Sequence, residues 1–280
     1  MSSTGSLEHR VVMVTGAAQG IGAATARALV EAGAAVALVD VREEEVNSLA
    51  DSLGCQALAL AADITDSDQL DRAARTMLDR FGSIDAVVAN AAIEVLGAVD
   101  EMAPYDFQRV IDINLVGTWR TVRATMMAVT ERRGYYLIVS SLAAVTHGPF
   151  NAAYNASKAG VVALAKTLRL EMAPRGVAVG IAYVTYADTA TARRAVEDPR
   201  MEEVLSGMPG GGLTPMPVER AADAFVHAIA HRQRRVLFDR SSRLAVNLPE
   251  LASAMGERMM RRPLATIEQR RSGTSAHRKT

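Results

Sequence analysis

Tyr154 and Lys158 stand four residues apart in a segment of helical period, so both side chains project from one face about a turn apart. A phenol has a pKa of about 10, and an adjacent ammonium pulls it toward neutrality. The pair therefore reads as a device for exchanging a proton with a substrate hydroxyl. A Tyr and a Lys at this spacing also arise by chance in ordinary helices. Here the chain holds only three lysines, Lys158, Lys166 and Lys279, while arginine supplies its basic surface, so Lys158 calls for a specific reason.

A second chemical signal lies near the start of the chain. Residues 11–14, Val-Val-Met-Val, run into Thr15-Gly16-Ala17-Ala18-Gln19-Gly20-Ile21-Gly22 and then into a helical segment. A glycine-rich turn between a first strand and a helix lets the backbone approach a pyrophosphate, whose charge meets the free amides and positive dipole end of that helix. Asp40, eighteen residues beyond Gly22, ends the second apolar run where an acidic residue accepts hydrogen bonds from an adenosine ribose. A carboxylate there repels a 2′-phosphate, so NAD is favoured over NADP. Arg42 is the counter-signal, unless its guanidinium pairs with the acidic run at 43–45.

The elements that must position these residues follow from alternating patterns. Strand-like runs at 10–15, 35–39, 56–61, 84–89, 135–140, 177–184 and 235–239 alternate with helical segments at 20–32, 43–53, 67–81, 105–129, 153–173 and 218–231. That is the pattern of βαβ units around a parallel sheet. Gly33, Gly54, Gly82, Gly134 and Pro174 fall where helices must stop. Two stretches break the rhythm. Residues 185–217, with Gly207, Pro209, Gly210 to Gly212, Pro215 and Pro217, read as a loop or lid. Beyond 240, Leu244, Leu248, Leu251, Met255 and Met259 recur at mostly four-residue spacing, predicting an amphipathic helix with a basic tail over 241–280. Its apolar stripe is expected to pack on the body or across a subunit interface in preference to a membrane surface.

These motifs resemble the short-chain dehydrogenases/reductases over residues 8–240. Thr15-Gly-x-x-x-Gly-x-Gly22 matches the family's cofactor turn and Tyr154-x-x-x-Lys158 its active-site motif. Ser141, thirteen residues before Tyr154, falls at the place of the family's serine, and Asn114 looks like its asparagine. The resemblance implies a three-layer, Rossmann-type doubly wound α/β fold with a seven-stranded parallel sheet and, here, a C-terminal helical extension. It implies Tyr154 as general acid and base, Lys158 stabilising the phenolate and binding the nicotinamide ribose, Ser141 holding the substrate oxygen, and Asn114 anchoring a water. Gly16, Gln19, Gly20, Ile21, Gly22, Asp40, Asp63, Ile64, Asn90 and Thr189, with Tyr154 and Lys158, are the cofactor-binding positions so implied, Asp63 at the adenine. A homotetramer or dimer is implied as well, paired through the segments at 105–129 and 153–173.

Two departures stand out. Ala89-Asn90-Ala91-Ala92 replaces Asn-Asn-Ala-Gly, and Val184-Thr185 replaces a Pro-Gly that passes beside the nicotinamide in relatives. A branched Thr185 alters the backbone path if positive φ is needed there.

Composition narrows the rest. The 280 residues are 49% hydrophobic and 22% charged with zero formal net charge, which excludes disorder. The single cysteine, Cys55, excludes a disulfide scaffold. No metal site is expected. The opening residues offer no apolar signal segment and no run reaches membrane-helix length, so a cytoplasmic protein is expected. From Arg220 onward 13 basic residues face 5 acidic ones, giving that stretch +8 and the remainder −8. The scattered bases and 4% aromatic content speak against a nucleic-acid partner.

The expected function is NAD-dependent interconversion of a secondary alcohol and a ketone. Met201, Met208 and Met216 in the lid point to a hydrophobic substrate. The alternative is a dinucleotide-binding module with little turnover; an epimerase or dehydratase is disfavoured by glycine spacing and length.

Overall fold

Seven apolar runs pair as parallel strands: β1 (Val11–Thr15), β2 (Ala35–Asp40), β3 (Ala57–Ala61), β4 (Ala86–Ala89), β5 (Tyr135–Ser141), β6 (Ala178–Val184) and β7 (Arg235–Val236). Their order across the sheet is β3-β2-β1-β4-β5-β6-β7 in this computed structural model, which describes residues 7–190, 192–193, 197–206 and 214–277. Strands buried on both faces need apolar residues at every position, and β1 shows it. Val12 and Val14 face one core with Val36, Leu38, Leu29 and Phe225, while Met13 faces the other with Val87, Ile138, Leu70 and Met77.

Helices α1 (Gly20–Glu31), α2 (Glu43–Leu53) and the later Val218–His231 cover the first face. On the second lie α3 (Ser67–Phe81), α5 (Thr118–Glu131), a short α6 (Ala143–Thr146) and α7 (Ala152–Met172), with α4 (Pro104–Ile111) packed on α7. Helix α3 shows how sequence sets a boundary. Asp66 caps it by accepting from the amides of Asp68 and Gln69, and Gly82 ends it in the left-handed region at φ 79°.

The order reverses between β1 and β4, which opens a crevice at their carboxyl ends, where Thr15 and Gly16 face Asn90. The doubly wound, seven-stranded expectation is met.

Several boundaries differ. The segment expected as one helix over 105–129 is α4, a π-helical turn Asp112–Gly117 and α5. A π-turn has no residue-type signature of its own, and its extra residue is one phase slip inside a long apolar pattern. Strand β7 keeps two residues of the five expected. The segment expected as a loop at 185–217 holds a helix, α8 (Pro199–Ser206), and its ends are tied by the Asp188 amide to Met216 carbonyl and Met216 amide to Tyr186 carbonyl, 2.8 and 2.7 Å. Gly207, Met208, Pro209 and Gly210 to Gly212 lie outside the described residues.

Val218–His231 is α9, and the extension beyond it is two helices, α10 (Arg240–Asn247) and α11 (Pro249–His277). Pro249 lacks the N–H that a continuous helix needs, and it instead starts the second one. Asp239 and Ser242 cap α10 reciprocally. Helix α11 packs on α6 and α8, so the extension lies on the protein's own body.

Candidate active site

The crevice widens into a cleft of about 2070 Å³ bordered by the β1 turn, the ends of β4 to β6, the start of α7, the lid and α11. Gly16, Gln19, Gly20, Ile21 and Gly22 line its nucleotide end. Gly16 has φ +66°, and a Cβ there would stand 2.7 Å from the Cα of Ala91. A Cβ on Gly22 would overlap the carbonyl of Gly16. Both positions therefore accept only glycine, and the amides at the start of α1 stay open to an anion. Asn90 braces this turn, its amide donating to the carbonyls of Thr15 and Gly16 at 3.0 and 3.2 Å. Gly20 faces Thr189 across the cleft, whose methyl lies 3.3 Å from where a Cβ would stand.

Asp40 is buried at the end of β2 and accepts from the amides of Ala18 and Arg42, 3.0 and 3.1 Å. Arg42 turns back over it, with Nε 3.5 Å from the Asp40 carboxylate, one guanidinium nitrogen 2.8 Å from Gln19 Oε1 and 4.0 Å from Glu45. Asp63 and Ile64 line the adjoining wall, with Asp63 accepting from the amide and hydroxyl of Thr65, both at 2.8 Å.

At the other end α7 carries Tyr154 and Lys158 into the cleft beside Ser141 at the tip of β5. Ser141 stands beside the phenol of Tyr154, where its hydroxyl favours the ionised form. Lys158 is 3% exposed; its ammonium donates to the Val139 carbonyl at 2.9 Å and lies 5.7 Å from the centre of the Tyr154 ring. Burial pulls Lys158 down to about 8, although the charge of Glu94 opposes this. The expectation of an acidified phenol is corrected here. Burial and then the Glu94 carboxylate push Tyr154 up, so its hydroxyl is a proton donor in this structure. The ammonium is engaged by Val139 and does not touch the phenol oxygen.

Asn114 is the one sequence-predicted residue that does not line the cleft. It sits in the π-turn with its side-chain oxygen accepting from the Ile93 amide at 2.8 Å and its two amide hydrogens directed to the Ile93 carbonyl and Ser157 Oγ, 2.9 and 3.0 Å. With both hydrogens taken, its contribution in this structure is to clamp the loop after β4 against α7. The replacement of Pro-Gly by Val184-Thr185 needs no left-handed backbone, because neither residue has positive φ.

Sequence reasoning missed Glu94, Asn151 and Tyr186. The carboxylate of Glu94 accepts from the side-chain amide of Asn151 and acts electrostatically on Tyr154, Lys158 and Tyr186. Its one signal was a charge in the otherwise apolar stretch from Ala91 to Leu96.

A parallel sheet with a glycine cradle at its switch point and a Ser, Tyr and Lys set across the same cleft defines a dinucleotide-dependent oxidoreductase. Over residues 10–200 the chain matches the short chain dehydrogenases, and it belongs to that family. A 3-oxoacyl-[acyl-carrier-protein] reductase from Synechocystis is 35% identical over 62% of this chain and 72% of its own length. D-threitol dehydrogenase from Mycolicibacterium smegmatis is also 35% identical, over 78% of this chain and 85% of its own. A crystal structure of 3-ketoacyl-(acyl-carrier-protein) reductase from Brucella melitensis complexed with NADH superposes with a TM-score of 0.73 at 28% identity, covering 80% of this chain and 92% of that one. The protein is thus an oxidoreductase acting on CH–OH or keto groups with a nicotinamide cofactor, and the reading as a mere dinucleotide-holding module is set aside. No helix among the described residues is long and apolar enough to cross a membrane, and no cluster of metal-ligating residues occurs among them.

Proposed function

We propose that the protein interconverts a secondary alcohol and a ketone, with NAD as its cofactor and Tyr154 as the group that exchanges the substrate proton. The observation that carries this reading is the convergence of Ser141, Tyr154 and Lys158 on the cleft that begins at the Gly16 cradle. The cradle fits a dinucleotide, because Gly16 and Gly22 leave space where a Cβ would collide. When bound, the cofactor supplies hydride chemistry.

This chain's own residues do the rest. Gly16, Gly20 and Gly22 keep the α1 amides accessible to pyrophosphate. Asp40 offers its carboxylate to the ribose hydroxyls, while Arg42 is held by Asp40, Glu45 and Gln19, an arrangement that supports NAD over NADP. Tyr154 Oη, kept protonated by burial, donates to a nascent alkoxide and in the reverse direction takes the proton back. Ser141 Oγ orients the substrate oxygen. The Lys158 ammonium, held by the Val139 carbonyl, places positive charge beside the phenol ring. Asn114 positions the loop that closes the far wall.

The substrate is proposed to be predominantly apolar, since Met201, Met216, Leu251 and Met255 line the wide end. Tyr154→Phe tests the chemistry. NAD-linked oxidation of secondary alcohols should fall by at least about 10²-fold, with NADH affinity retained; turnover that survives would remove Tyr154 from its role.

We also propose a homo-oligomer. Exposed Trp119 and Met127 on α5 and Leu170 on α7 form unpaired apolar surface on the two helices concerned. Light scattering should give a dimer or tetramer mass, and a monomer mass at micromolar concentration would defeat this.

A further inference from the structure

The loop after β4 brings an acidic group to the place where substrate must lie. Asn114 holds both backbone groups of Ile93, which fixes the next residue, Glu94. A bridge between Gly97 and Asn151, with the Gly97 amide donating to the Phe150 carbonyl at 2.8 Å, ties the loop to the start of α7. Glu94 is half-buried and bonded to Asn151 Nδ2, and its charge is felt at Tyr154, Lys158 and Tyr186.

Two acceptors at the start of α7 stand without donors. Asn151 Oδ1 and Asn155 Oδ1 are buried with no hydrogen-bond partner, and both residues line the cleft. Neither amide can be flipped to cure this. Asn151 Nδ2 faces the Glu94 carboxylate and Asn155 Nδ2 faces the Gly148 carbonyl at 2.8 Å, so a flip would set oxygen against oxygen. Buried acceptors left open cost stability, and their retention at a substrate cleft points to a ligand that supplies the donors.

We propose that Glu94 is a specificity-determining residue. With Asn151 Oδ1 it forms an acceptor subsite for a hydrogen-bond-donating substituent, hydroxyl or ammonium, on a carbon beside the one that is oxidised or reduced. The substrate class is then vicinal diols, amino alcohols and their ketone counterparts with an apolar body. A carboxylate at the same place is rejected by like charge. This rests on the proposed reading of Tyr154 as the group facing the reacting carbon.

A matched series tests it on the NAD-loaded full chain: 1-phenyl-1-propanol, 1-phenyl-1,2-propanediol, 2-amino-1-phenyl-1-propanol and mandelate, measured by calorimetric binding and by NAD reduction. Wild type should bind the diol or the amino alcohol at least about tenfold tighter than the plain alcohol, about 1.4 kcal/mol, and mandelate weakest. Glu94→Gln, isosteric and checked by its melting temperature, should shrink that preference to about threefold or less. Loss of the amino alcohol's advantage alone identifies ammonium as the natural donor, and equal loss identifies hydroxyl. Equal affinities in wild type, including no binding of any member, or a preference unchanged in Glu94→Gln, overturn the subsite. Turnover without diol preference would sink the subsite and leave the proposed reaction standing; preference in binding with no turnover would do the reverse.

Discussion

The ammonium of Lys158 donates to the carbonyl oxygen of Val139 at 2.9 Å, fixing a charged side chain inside the protein at the edge of β5. That single bond does not replace the hydration an ammonium has in water, and burial holds Lys158 at about 8 against 10.5 for the free side chain. The site thus keeps a group that the fold alone would be better without.

The first prediction follows from the sign of that shift. Between pH 8 and 10.5 the unfolded chain holds a proton on Lys158 that the folded chain has lost, so wild-type stability rises with pH across that window. Below pH 8 the penalty is complete, roughly 3 kcal/mol from the shift. Lys158→Met removes the charge and also the Val139 bond. At pH 7 it should be more stable than wild type by about 1–2 kcal/mol, a rise of about 3–6 °C in Tm, with turnover reduced at least about 10²-fold. The stability gap should close as pH approaches 10.5, and thermal melts at pH 7 and 10 check it. A variant less stable than wild type at pH 7 would mean that Lys158 stabilises the fold.

Much of this site was legible in the chain because its motifs are local. Gly16 and Gly22 are dictated by backbone geometry within one turn, and Tyr154 and Lys158 by one helical repeat. Glu94 and Asn151 were not legible. Fifty-seven residues separate them, and the Gly97 to Asn151 bridge with the Gly97 amide bond to the Phe150 carbonyl brings their loops together. The direction of the Tyr154 shift was likewise beyond sequence, since the spacing to Lys158 is visible but the burial of the phenol and the nearby Glu94 carboxylate are not. The seven strands could be read from apolar runs, whereas the π-turn at Asp112–Gly117 adds no residue type that a pattern would notice.

A second prediction concerns cofactor choice. Asp40 presents a buried carboxylate and also restrains Arg42 at 3.5 Å. Asp40→Ala removes two ribose acceptors and frees the guanidinium to meet a 2′-phosphate. The KM for NAD should rise about tenfold and the ratio of kcat/KM for NADP over NAD should increase at least about tenfold, each corresponding to about 1.4 kcal/mol. Steady-state kinetics with both cofactors decide it. An unchanged ratio would show that Asp40 does not set the choice.

A third prediction concerns the apolar stripe on the extension. Leu251, Met255 and Met259 remain 52%, 54% and 37% exposed although they border the cleft, and Gly256 brings α11 close to the Thr146 carbonyl of α6. An apolar substrate body laid against Met255 would remove some tens of Å² from water on each partner, about 1–2 kcal/mol at 25 cal/mol per Å². Met255→Asp should therefore lower kcat/KM for 2-octanol about tenfold while leaving that for 2-propanol within about twofold and the KM for NAD unchanged. Since Met255 is half in solvent, the substitution leaves the core intact, and a matching Tm confirms it. An unchanged kcat/KM for 2-octanol would place the substrate body elsewhere in the cleft, against Met201 and Met216 of the lid, and an equal fall for the short and the long alcohol would show that the substitution acts on the site as a whole and not on the apolar body.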